Sequence, residues 1–483
     1  MNALLSSVLI AVFLTASGFG QSNLLFVGRE LTASGRERSL DERLKSGTKL
    51  AAEYEKIKPE RSLLLYDCLE NSLWCGDPAF SFKNVFSSAA RADPDSAILA
   101  WYKSGAAAFP GSASLFTGKL GDWQGNSLAN PPFQLLAIVN RMDLASWNGS
   151  QNSMSANGKP ANAASANKWS GAEVRFVYGA KQVGSRTPEF TLILEFRLAD
   201  FDWAGFQRLG RAWERVGRGD AQMLARLKDA LAASGYSRSP FVRLRVNFFP
   251  ESRVVWAMMQ WDFLRHGTTG PATPTLTPLQ DLVDLKYLQA AAGALPADYL
   301  KYLALWTVAP RKIGLAPDID IPPGLLQKSN PKNYVKGEGM PTPVPLRLCG
   351  TSLPNRDTLA LQQCNYCHTS ETGTDFAQIA NRLPGANAVL SPFLIGTGTV
   401  KPTIQQLQNA ANSGIANPVT VNFLTYTGAN CDLREVQPTT RRYHDLARRT
   451  LFLAALLASP RPGDPAFKEA LALVRQFTTS MPH

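Results

Sequence analysis

The stretch FTLILEFRL (190–198) alternates without a break. Phe190, Leu192, Leu194, Phe196 and Leu198 fall on one side of an extended chain, with Glu195 and Arg197 on the other. Successive strand side chains point to opposite faces, so this pattern predicts a strand with one apolar face. Flanking segments repeat it. EVRFVY (173–178) places Val174, Phe176 and Tyr178 together, and VRLRVNF (242–248) does the same with Val242, Leu244, Val246 and Phe248. FQLLAIVN (133–140) is an apolar run suited to a buried strand, and Pro250-Glu251-Ser252 turns the chain into a further strand over 254–263. Together these segments predict a largely antiparallel sheet with one buried face. The opposite face carries Glu173, Arg175, Glu195, Arg197, Arg243 and Arg245. Charges of both signs pair across strands, so the expectation there is a solvated salt-bridge ladder. The alternative is a binding face for a charged ligand or partner.

Helical spacing marks 40–58, 94–106, 204–234, 279–306 and 439–458. Residues 148–171 are rich in Asn, Ser, Ala and Gly and read as a long loop, and 267–278 reads as a Thr/Pro/Gly linker. Eight prolines between 310 and 345 point to an extended connection and a domain boundary. The predicted class is therefore α+β. A mainly antiparallel sheet with helices occupies 21–308, a proline-rich connection 309–345, and a mainly helical region 346–483. The chain has 483 residues, 45% of them hydrophobic and 18% charged, enough for a large core.

The first 20 residues have the layout of a secretory signal peptide. A segment without acidic residues precedes the apolar run 8–16, and the small residues Ala16, Ser17, Gly18 and Gly20 follow. Cleavage is expected near Gly20 and export to the periplasm or medium. No later stretch approaches 18 consecutive apolar residues, so no membrane span is expected in the mature chain. The net charge of +12 comes from dispersed Lys and Arg rather than a basic block. This reads as a basic solvated surface, and no nucleic-acid partner is expected.

Against that background stands Cys364-Asn365-Tyr366-Cys367-His368. Two thiols three residues apart on a helical face can each form a thioether with a haem vinyl group, and the adjacent imidazole then reaches the iron. Asn355 or Asp357 is placed to cap a helix running through Leu359 and Leu361 into the motif, and Gly373 to end it. Haem c is attached outside the cytoplasm, which agrees with the leader. The reading is an exported monohaem protein in electron transfer or haem-linked redox chemistry, meeting a redox partner protein. Cys364 and Cys367 anchor the haem, and His368 is the proximal ligand. Between His368 and Met481 the chain has no Met; His444 is the nearby downstream candidate for a distal ligand, His266 and Met340 could reach only through tertiary folding, and the alternative is a five-coordinate iron with an open site. Committing two cysteines leaves Cys68, Cys75, Cys349 and Cys431, for which Cys68–Cys75 and Cys349–Cys431 disulfides are expected in an oxidising compartment. Three alternatives stand beside haem. One is a thiol-disulfide oxidoreductase using Cys364 and Cys367. Another is a zinc site adding Cys349 or Cys431. The third is an exported binding protein stabilised by disulfides.

CNYCHTSETGTDFAQIANR (364–382) and LSPFLIGTG (390–398), with VNRMDLA (139–145) and GAEVRFVYG (171–179), resemble an uncharacterised family of secreted bacterial proteins with a C-x-x-C-H-x-x-E-T signature. The resemblance implies that Glu371 and Thr372 belong with the motif, and that the sheet and the motif form one working unit. Gln378 departs from the pattern, which has a His there, and puts any ligand role at that position in doubt. Three residues after His368, Glu371 is expected to share its face on a continuing helix, where it caps or lies at the surface, the alternatives being to orient a ligand or accept a proton. No hydrolase elbow, phosphate loop, zinc-protease helix or dinucleotide fingerprint appears.

Overall fold

A computed structural model describes residues 40–66, 74–90, 133–148, 153–155, 167–180, 190–218, 221–239, 241–248, 257–264, 274–276, 279–283, 326–327, 379–381, 388–391, 394, 419–421, 424–427, 432–435, 439–441 and 445–474. Alternation builds the sheet as expected. Its strands are β1 (Leu64–Leu65), β2 (Phe133–Arg141), β6 (Glu173–Ala180), β7 (Phe190–Arg197), β8 (Phe241–Phe248), β9 (Ala257–Leu264) and β10 (Pro274–Leu276). They lie side by side in that order, every neighbour antiparallel. Register stacks the apolar residues in rows: Val174, Phe196 and Val242; Phe176, Leu194 and Leu244; Tyr178, Leu192 and Val246. All nine are fully buried. At about 1.5–3 kcal/mol per buried large apolar side chain, a one-residue slip would forfeit the whole set.

A layer of aromatic side chains covers these rows. The 3-10 turn Pro78–Phe80 and helix α3 (Phe82–Ala90) bring Phe80 and Phe82 onto the sheet. The Phe82 ring lies 4.9 Å from Phe133 and 5.4 Å from Tyr178, and the Tyr178 hydroxyl donates to the Phe80 carbonyl at 3.0 Å. Between β7 and β8 the chain makes α4 (Trp203–Val216) and α5 (Met223–Ser234). Asp202 caps α4 by accepting from the Gly205 N–H, and Gly235 ends α5 at φ 65°, a left-handed turn that favours glycine. That turn sets Tyr236 against Phe176 and Phe196, ring centroids 5.2 and 5.1 Å apart.

A second group of helices packs beside the sheet: α1 (Leu40–Lys56), the short α2 (Pro59–Ser62), α4, α6 (Asp445–Ala458) and α7 (Pro465–Val474). Every residue of α6 is buried, so it is a central helix rather than an amphipathic surface one. Gly210 lets α4 approach it closely, since a Cβ there would sit 3.0 Å from Leu453. Trp169 joins the layers. It stacks on Phe206 at 4.9 Å and meets Phe452 and Phe467 edge-on, each at 5.9 Å. No helix among the described residues is long and apolar enough to cross a membrane.

Several local expectations change. The loop over 148–171 contains strands. In a small sheet, β3 (Ser146–Asn148) pairs with β4 (Ser153–Ser155) and β5 (Lys168–Ser170), placing Trp147 opposite Trp169. The linker over 267–278 supplies β10, an edge strand whose first residue is Pro274, where no ladder N–H is needed. The helix expected over 279–306 does not begin there, because Leu279–Val283 is a strand paired with Leu326–Gln327. The helix expected from 439 starts at Asp445. Thr439–Arg441, headed by two β-branched threonines, is a strand paired with Val419–Val421. Within 346–483 the described residues also include the strand pair Leu424–Thr427 and Asp432–Glu435. The helix expected over 94–106 lies outside the described residues.

Ile379 and Leu390 form an isolated antiparallel bridge, and Asn381 beside it docks at one end of the β2–β6 pair. Its amide donates to the Ala180 carbonyl at 2.8 Å and accepts from Gln134 Nε2 at 3.1 Å. A Cβ at Gly179 would lie 2.1 Å from Asn381 Oδ1 and 3.0 Å from Leu136 Cδ1, so only glycine leaves room. We expect Gly179→Ala to cost about 1–3 kcal/mol in urea unfolding. The cost should shrink markedly in an Asn381→Ala background. An equal cost in both backgrounds would show that Asn381 is not what the glycine accommodates.

Candidate functional site

The centre of the sheet's charged face is buried, while Arg197 is exposed and Glu173 and Arg243 are half-buried. Arg175, Glu195 and Arg245 are 3%, 2% and 1% exposed. The register Arg175–Glu195–Arg243 runs across three strands. Arg175 donates from Nε and Nη2 to Glu173 Oε2 at 2.9 and 2.7 Å, and its Nη1 lies 3.3 Å from Glu195 Oε1. Arg245 Nε is 3.6 Å from the other Glu195 oxygen. Burial alone would lower the affinity of Arg175 for its proton, but Glu195 and Glu173 raise it further still. The expected salt-bridge ladder is therefore present, but Arg175, Glu195 and Arg245 at its centre are buried rather than hydrated.

At the end of β2 a second buried charge group forms. Asn140 shapes the chain there: its amide donates to the Ser62 carbonyl and accepts from the Met142 N–H at 3.1 Å. The resulting 3-10 turn, Met142–Leu144, brings Asp143 under Arg141, which donates to both carboxylate oxygens at 3.0 and 3.2 Å. From the first turn of α6, Arg448 Nη2 reaches the same carboxylate at 2.5 Å. It also donates to Asp445 Oδ1 at 2.9 Å, as its Nε does at 3.0 Å. Arg449 Nη2 is ion-paired with Asp445 Oδ2, and Arg449 Nε stands 3.8 Å from Asp143 Oδ1. All five residues are buried, none above 4% exposed.

Burial pushes the Asp143 carboxyl up, but Arg141, Arg448 and Arg449 overcome it and hold it well below the ordinary carboxylate range. Asp445 is likewise lowered: burial opposes, and Arg449 and Arg448 win. Both carboxylates are thus ionised acceptors at neutral pH. The group is suited to charge recognition and to clamping α6 onto β2, rather than to proton transfer.

Of the residues singled out in the sequence, Cys75 is described. It is disulfide-bonded and partly buried beside the fully buried Trp74, and every other cysteine lies outside the described residues. Cys68, Cys349, Cys364, Cys367, His368, Glu371, Thr372, Cys431 and His444 all lie outside them. Among the described residues no three His, Cys, Asp or Glu side chains gather as a metal site. The structure does bring together parts of all four sequence blocks that carried the family resemblance. Asn140, Arg141 and Asp143 come from the first and Glu173, Arg175 and Gly179 from the second. Ile379 and Asn381 end the motif block, and Leu390 begins the last.

Sequence reasoning missed Asp445, Arg448 and Arg449. Their spacing, DLARR at the start of a helix, was the available signal. Comparison with family models, with curated proteins and with solved structures returned no match.

The sign of the pH dependence follows from the lowered carboxyls. Their contribution is complete above the unfolded value near 3.9 and is lost as pH falls through the folded values below it. Urea unfolding should therefore show stability dropping steeply below about pH 4. Asp143→Asn should lose about 3–5 kcal/mol at pH 7, because it strands buried guanidinium charge, and should show a shallower acid slope. A variant as stable as the parent would remove Asp143 from this role.

Proposed function

We propose that the chain is an exported protein that holds a covalently attached haem c at Cys364 and Cys367, with His368 as the proximal ligand. It would act in electron transfer or haem-linked redox chemistry with a redox partner protein. The observation that carries this reading is the C-x-x-C-H spacing in a chain whose first 20 residues have a leader's layout. The donor set fits the group: two thiols for the thioethers and one imidazole for the iron. Haem supplies a one-electron centre. The chain would supply the anchoring thiols of Cys364 and Cys367, the imidazole of His368 and, in this reading, that of His444 as ligands to the iron.

Two structural facts support it. The Cys75 disulfide belongs to an oxidising compartment, as haem c attachment does. Asn381, 13 residues after His368, is hydrogen-bonded to the sheet, so the segment that follows the motif is seated on the β-rich core. This supports one working unit of sheet and motif, as in the C-x-x-C-H-x-x-E-T proteins whose blocks the chain resembles. The disulfide equally favours a second reading, an exported binding protein in which the cysteines are structural. A thiol-disulfide enzyme using Cys364 and Cys367 is separated from both by reversible thiol release.

Expression with a c-type maturation system should yield a protein whose intact mass exceeds the polypeptide by one haem, with a pyridine haemochrome spectrum. Cys364→Ser with Cys367→Ser should abolish both, and His444→Ala should change the Soret band only if His444 is the distal ligand. The bare polypeptide mass with no Soret band would sink the haem reading, and thiol counting would then divide the two alternatives.

A further inference from the structure

The group around Asp143 does not balance. Among the described residues, Arg141, Arg448 and Arg449 are ion-paired with Asp143 and Asp445, three positive charges against two negative. Glu173, opposite Arg141 in the β2–β6 register, is engaged by Arg175. Three guanidinium nitrogens, Arg448 Nη1 and Arg449 Nε and Nη1, are buried without a hydrogen-bond acceptor among the described residues. Leaving charged donors dry and unpaired costs several kcal/mol, so native cores satisfy them with a carboxylate, a water or an ion. The group also lies at the start of α6, a 14-residue helix whose dipole adds positive potential at this end. The proton affinity of Arg449 is depressed as well. It is lowered to about 10, first by burial and then by Arg141, despite both aspartates.

We propose that Arg448 and Arg449, at the start of α6, bind one small monovalent anion of carboxylate or halide size, which completes the buried charge group. The excess of one positive charge selects a monoanion, since a dianion would replace one uncompensated buried charge with another. Arg449 Nε and Nη1 and Arg448 Nη1, which lack a hydrogen-bond acceptor among the described residues, supply the donors. The site is separate from the seat of the motif segment. Gln134 and Gly179 mark one end of the β2–β6 pair, and Arg141 and Glu173 mark the other. Seven residues at ~3.3 Å each put the two ends roughly 23 Å apart. The donors belong to the described residues Arg448 and Arg449 alone, and the test below reads anion binding without haem.

The test is thermal unfolding of the full chain at pH 7 and constant ionic strength, balanced with a bulky sulfonate buffer, while sodium chloride, formate, acetate or sulfate is titrated in. The expected result is a saturable rise of about 3–5 °C on approaching 100 times the dissociation constant for a small monoanion, with no saturable rise for sulfate. Arg449→Gln should flatten the curve while leaving the far-ultraviolet circular dichroism unchanged. Wild-type chloride-35 NMR line broadening, relieved by formate, reads the same site without any variant. A flat or merely linear wild-type response to every anion would overturn the proposal. So would a saturable response that Arg449→Gln, or Arg449→Lys if the first does not fold, leaves untouched.

Discussion

Asp143 is shared by guanidinium groups from two places in the chain, Arg141 two residues away and Arg448 more than 300 residues on. With no solvent around it, that carboxylate is the point at which β2 and α6 are held together. Ion pairs of this kind gain little over an apolar core of the same shape, but breaking one by removing a partner is expensive. Their effect is to permit only the arrangement in which every charge meets its counterpart. A β2–α6 docking shifted by one helical turn would bury the same apolar area and leave five charges unmatched. The specificity of the arrangement therefore rests on the charge group more than its gross stability does.

The sheet depends on the same principle in a flatter form. One face is an ordinary apolar surface, rows of Val, Leu, Phe and Tyr closed by Phe80, Phe82 and Tyr236. The other carries Arg175, Glu195 and Arg245 into the interior, where alternating sign across β6, β7 and β8 is the condition for burial. Register is thus specified twice, by hydrophobic rows on one face and by charge order on the other. At the far end of β2 and β6, Gly179 makes room for Asn381, which brings the segment after the motif onto the sheet. Sheet, central helix and motif flank are coupled through the two ends of a single strand pair.

Much of the sheet was legible in the chain because period-two alternation is a local property. Phe190 to Leu198, Val174 to Tyr178 and Val242 to Phe248 identify their strands and faces without reference to anything distant. Helices α1, α4 and α5 were legible for a similar reason. Short edge elements were not: Pro274–Leu276 and Thr439–Arg441 are strands because a partner strand lies beside them, and nothing in three residues announces that partner. Ser146–Asn148 and Lys168–Ser170 likewise become strands through the meeting of Trp147 with Trp169.

The sequence by itself determined the α+β character, the apolar face of the sheet and the C-x-x-C-H spacing on which the haem proposal stands. These are read from spacing along the chain, where the governing distances are a few residues. Only the tertiary structure decided that Arg175, Glu195, Arg245, Arg448 and Arg449 are interior rather than surface residues. Charge alone reads as exposure, because isolated ions stay in water. The desolvation penalty is met only when opposite charges arrive together from distant segments, and that meeting is written in the fold.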